Sequence, residues 1–138
     1  LRREYGLTLR HTVFPLHPNT PEEGVELATL FAGSGRELIA MFDRLREVAA
    51  EVNLPLRTRE RTYNSRRAQE LGKWAEEQGA GEAFRTAVYH AYFVAGRNIA
   101  QPEELAALAE GIGLVGEEAL RVLRERRYAR AVDADWQR

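Results

Sequence analysis

Three histidines and several pairs of adjacent glutamates are the side chains whose types suit proton transfer or metal binding. His11, His17 and His90 show no HxH or HExxH spacing, and no acidic residue completes a recognisable ligand set, so neither a metal nor a cofactor is expected. The pairs Glu22/Glu23, Glu103/Glu104 and Glu117/Glu118 would suit acid–base chemistry if they faced one cleft. Each falls in the first turn of an expected helix, where negative charge complements the helix dipole by about 0.3–1 kcal/mol, and they are read as helix stabilisers. The chain has no cysteine, which excludes a thiol nucleophile, thiolate metal ligation and a disulfide within these residues. No catalytic residue is assigned.

The elements that must position the rest are mostly helical. Leu7 to Phe14 alternate, with Leu7, Leu9, His11 and Val13 on one side, and read as one strand. Pro15 and Pro18 end it, since proline cannot donate to a ladder. Thr20, with Pro21 and Glu23 behind it, has the pattern of an N-cap and predicts a short helix to about Ala32. Ser34 and Glu37 repeat the device before a stripe of Leu38, Met41, Phe42, Leu45, Val48, Ala49 and Val52, which predicts a helix ending near Asn53. The run Arg57 to Arg61 reads as a solvated connection. Asn64 can cap a helix carrying Ala68, Leu71, Trp74 and Ala75 and ended by Gly79; a second helix from Glu82 pairs with it as a hairpin. Pro102 opens a helix bearing Leu105, Leu108, Ala109 and Ile112, Gly113 or Gly116 separates it from one bearing Ala119, Leu120 and Leu123, and Tyr128 to Trp136 closes the chain. A lone strand cannot satisfy its own backbone, so it needs partners from outside this sequence or from a second copy.

At 138 residues, 44% hydrophobic and 30% charged, the chain is long enough to bury one core. A net charge of -1 gives no electrostatic case for nucleic acid, and no apolar run is long enough to span a bilayer. The beginning LRREYGLTLRH has neither an apolar signal region nor an initiating methionine, and reads as a cut into a longer protein.

Several motifs recur in a recognisable order. A Leu-His-Pro-x-x-Pro turn is present as Leu16, His17, Pro18 and Pro21. An Asn-Thr-x-x-Ala-His element appears as Asn64, Ser65, Ala68 and Gln69, departing at two positions. A later pattern is carried by Ala91, Tyr92, Phe93, Asn98, Ile99, Leu105, Gly113 and Leu114. In order and spacing the chain resembles the DsbA-like disulfide oxidoreductases, in particular their FrnE branch. The resemblance implies a mainly α fold, the helical insertion domain of a thioredoxin-like α/β fold with one strand of the thioredoxin sheet at the N-terminus. Residues 1–18 would then be a piece of the thioredoxin-like domain and 19–138 the helical insertion.

It also implies that the Cys-x-x-Cys pair and the cis-proline loop facing it lie outside these residues. The helices would cover the active-site cleft of a cytoplasmic thiol–disulfide oxidoreductase, with a protein thiol or disulfide as substrate. The 138 residues alone are expected to be redox-inactive. Phe14, His17 and Asn64 are the expected cleft-lining residues, and a homodimer or domain swap through Leu7–Phe14 is expected of the unpaired strand.

Two other readings stay open at this level. The related kappa-class glutathione transferases and hydroxychromene-carboxylate isomerases use a serine in place of the first cysteine, and Tyr89 to Phe93 could face a glutathione-like ligand or a partner helix. A helix-turn-helix could be drawn over residues 102–127, but its second helix would open on Gly116, Glu117 and Glu118, whose carboxylates oppose phosphates.

Overall fold

The computed structural model describes residues 2–7, 9–31 and 35–138, with Arg2 and Arg3 described by their backbone alone. In chain order the elements are α1 (Arg2–Tyr5), β1 (Val25–Glu26), α2 (Leu27–Leu30), α3 (Gly35–Glu51), β2 (Arg61–Thr62), α4 (Arg66–Glu77), α5 (Gly81–Tyr89) continued by a π-helical turn (His90–Val94), α6 (Pro102–Gly111), α7 (Gly116–Arg124) and α8 (Ala129–Trp136). The molecule is mainly helical, with one small antiparallel ladder among the described residues pairing Val25 with Thr62 and Glu26 with Arg61.

The core follows from the helical spacing of apolar residues. Leu71, Trp74 and Ala75 from α4 meet Phe84 from α5, Leu105 and Ala109 from α6, and Ala119, Val122 and Leu123 from α7. Removing a Leu or Phe side chain from water is worth about 1.5–3 kcal/mol, so these residues supply much of the drive for the helices to pack. The α4–α5 turn is tight because Gly79 takes φ 74°, and because a Cβ on Gly81 would stand 3.0 Å from the Glu76 Cα. Pro102 sits at the start of α6, where its missing N–H costs nothing.

A buried carboxylate ties α4 to the segment before α8. Glu70 is 1% exposed; it accepts from Arg66 Nε at 2.7 Å and from Arg126 at 2.7 and 2.9 Å. Arg66 also donates to Ala129 O and to Asp133, and its guanidinium lies 4.6 Å over the Trp136 ring. Burial pushes the Glu70 carboxyl up, but the hydrogen bonds and charges of Arg126 and Arg66 outweigh it and hold the group below its ordinary value. Arg126 takes φ 52°, an unusual conformation for a side-chain-bearing residue, between α7 and α8.

Two expectations change here. The Thr20 signal does not start a helix: its hydroxyl and its N–H both donate to His17 O, closing a turn, and Gly24 then takes φ 79°. A Cβ on Gly24 would stand 2.5 Å from Thr62 O, so the chain passes into β1 and, among the described residues of this stretch, Leu27–Leu30 become helical. The run Arg57 to Arg61 is no plain solvated link, since Leu27 N donates to Glu60 O and Arg61 enters β2. The helix over the Leu38–Val52 stripe forms as α3 and ends where Asn53 adopts φ 55°, whereas its expected cap, Ser34, lies outside the described residues.

Residues 9–14 enter no ladder among the described residues, yet they keep the alternation of a strand: His11 and Val13 are half-buried while Thr12 and Phe14 are exposed. Their backbone is held by side chains of the helical block. Val13 N donates to Asp135 at 3.1 Å, Lys73 reaches His11 O at 3.4 Å and Gln69 reaches Phe14 O at 3.2 Å. Asp135 also pairs with Lys73 at 2.5 Å, and the hydrogen bonds from Lys73 and from the Val13 backbone hold its carboxyl below the ordinary range. A carboxyl lowered in the folded state contributes above its unfolded pKa and loses that contribution as pH falls through the folded value. Asp135→Asn is therefore expected to loosen this segment at neutral pH, seen as several-fold faster tryptic cleavage after Arg10 with little change in the hydrogen exchange of α6 and α7.

Candidate functional site

The Leu16–Gly24 turn, β2 and the π-helical turn meet around a cleft of about 200 Å³. Its wall includes Leu16, His17, Leu27, Phe31, Arg59, Tyr63, Tyr92 and Phe93. The π-helical turn is what brings Tyr92 and Phe93 to it: one extra residue per turn shifts the register set by α5. Arg57 N then donates to Phe93 O at 3.0 Å, fastening the arginine-rich segment before β2 to that turn.

Tyr92 is the hub. Its hydroxyl accepts from Arg59 at 2.5 Å and shares a hydrogen bond with the buried Thr62 hydroxyl at 2.8 Å. The Arg59 guanidinium lies 4.4 Å over the Tyr92 ring and 5.2 Å from the Phe93 ring centre, and also donates to Arg61 O. Stacking on two aromatic faces fixes the cation in place at small entropic cost. Arg59 Nε is buried and has no acceptor among the described residues. Tyr63 and Phe93 complete the aromatic lining by edge contacts to Tyr92 at 6.5 and 4.7 Å.

The opposite rim is pinned by two asparagines. Asn64 donates to Thr20 O at 2.7 Å and Pro18 O at 3.2 Å while its Oδ1 accepts from Arg66 N, so one side chain meets the first N–H of α4 and clamps the turn. Asn98 repeats the arrangement, donating to Glu22 O at 2.8 Å and accepting from Ala100 N at 2.9 Å. Arg61 reaches Glu23 O and Gly24 O.

Of the residues singled out from sequence, His17 lines the cleft, Asn64 lies behind its rim, and Phe14 stands apart with 71% exposure. Arg59, Thr62 and Tyr63 were missed. The only signal for them was a run of alternating arginines followed by Thr-Tyr, which polarity alone assigns to solvent. Tyr92 and Phe93 were visible as an aromatic cluster, but not their hydrogen bonds to β2.

The arrangement supplies aromatic faces, a fixed cation and hydroxyls. That is chemistry for holding and orienting a polypeptide or small ligand. Among the described residues no group of three His, Cys, Asp or Glu could hold a metal, and no helix is long and apolar enough to cross a membrane.

No curated protein matches the chain. The profile of the DSBA-like thioredoxin domain family matches residues 1–138, its whole length. With a mainly helical block pinned around an aromatic cleft, and a family match from end to end, the chain belongs to the DSBA-like thioredoxin domain family.

Proposed function

We propose that the chain is the substrate-facing helical part of a thiol–disulfide oxidoreductase of the FrnE type, with residues 1–18 belonging to the thioredoxin-like domain and 19–138 forming the insertion. The observation that carries this reading is the end-to-end family match of a chain without cysteine, whose cleft around Tyr92 is walled by aromatic rings and a stacked cation. In disulfide exchange a thiolate attacks a disulfide sulfur and a second thiolate leaves, so both sulfurs of the enzyme must come from outside these 138 residues. The role left for this block is to receive an unfolded segment of a protein substrate. Aromatic faces take its apolar side chains, and the stacked Arg59 guanidinium supplies a fixed positive charge beside them.

The chain by itself is then redox-inert. Added to dithiothreitol and insulin, it leaves the onset of insulin precipitation at the uncatalysed time, and turnover by this polypeptide would contradict the reading. Binding of glutathione by the same cleft, with no binding of unfolded protein, would move the assignment to the glutathione-dependent isomerase and transferase branch.

A further inference from the structure

Helix α3 presents more apolar surface than the chain covers. Phe42 and Ala49 face inward and are buried, but the adjacent stripe of Met41, Leu45, Val48 and Val52 is 39–69% exposed. With Leu38 these residues repeat at steps of three and four, the spacing of a coiled-coil seam rather than of scattered surface residues. The seam runs nearly the full length of α3, whose 17 residues span about 25 Å.

Charge along the seam says what fits it. The edge away from Phe42 and Ala49 carries Arg44 and, two turns on, Glu51; neither makes an ion pair within the chain among the described residues. In an antiparallel pair of two copies about a two-fold axis, Leu45 of one copy meets Val48 of the other, and Met41 meets Val52. That register brings Arg44 of each copy beside Glu51 of the other, twice by symmetry. The stripe and its charges are thus self-complementary.

We propose that α3 is a homodimerisation surface, paired antiparallel with the α3 of a second copy. It is separate from the cleft and from the N-terminal segment. A single helix seam is small beside the roughly 1,200–2,000 Å² of standard interfaces, so the association is expected to be weak and concentration-dependent.

Sedimentation velocity of the full 138-residue chain from about 5 to 300 μM, spanning the micromolar affinities of weak complexes, is the test. The expected result is a monomer–dimer equilibrium weakened at least tenfold by Arg44→Glu or by Glu51→Arg and restored by the double exchange. Both positions are solvent-facing, and circular dichroism verifies that each variant is folded. A monomer at every concentration overturns the proposal and leaves the stripe to a different protein or segment. Dimerisation indifferent to the charge exchanges overturns it equally, and in that case association through Leu9–Phe14 is the contact to test next.

Discussion

Phe84→Ala is expected to remove about 3–5 kcal/mol of folding stability, the usual cost of deleting a buried aromatic ring. The ring is 1% exposed and lies where α5 crosses α4, with its Cδ1 3.9 Å from where a Cβ on Gly72 would stand. Helices on both sides of it are fixed by the tight Gly79–Gly81 turn and by the core residues of α6 and α7, so the cavity cannot close by a simple shift. Since a domain of this size has a net stability of about 5–15 kcal/mol, a loss of that magnitude leaves the variant only marginally folded. Urea unfolding followed by circular dichroism measures it: the midpoint falls sharply with the slope unchanged. A loss under about 1 kcal/mol would mean that Phe84 is not packed as described.

Glu70→Ala is the second large effect, at about 3 kcal/mol, because removing one member of a buried ion-pair network strands the others. Arg66 is the side chain left in difficulty, being only 18% exposed, while Arg126 at 55% can return to water; this places the cost at the lower end of the usual range. The network is also acid-sensitive. The Glu70 carboxyl is held below its ordinary value in the folded state, so its contribution is complete above the unfolded pKa of about 4.3 and disappears as pH falls through the folded value. Wild type should therefore lose stability more steeply than Glu70→Ala below about pH 4.5, and the two unfolding midpoints should converge in acid. Arg66→Ala combined with Glu70→Ala should cost less than the sum of the two single changes.

How much of this was legible in the sequence depends on how local the determinant is. The α4–α5 hairpin, α6, α7 and their core were readable because Leu71, Trp74, Phe84, Leu105 and Leu123 repeat at helical spacing between glycine and proline stops. Thr20 misled because a capping pattern and a side-chain-closed turn use the same hydroxyl, and the choice was made by Gly24, whose conformation is set by contact with Thr62 and Tyr63 some forty residues away. Arg59 was unreadable for the same reason: its position is fixed by Tyr92, thirty-three residues on, and nothing in its neighbours marks it as stacked. Among the motif residues, Asn64 and Asn98 have a clear physical role here, each satisfying a helix or turn N–H with one atom while tethering the Pro18–Gly24 turn with the other.

In the proposed role, the cleft around Tyr92 is a surface for an unfolded polypeptide. Amide chemical shifts of the labelled chain, titrated with an unfolded protein whose thiols have been blocked, test it most directly. The expected result is shifts concentrated at His17, Thr62, Tyr63, Tyr92 and Phe93, with binding weakened about tenfold, or 1.4 kcal/mol, in Arg59→Leu. Shifts confined to α7 and α8, or none at millimolar ligand, would contradict it.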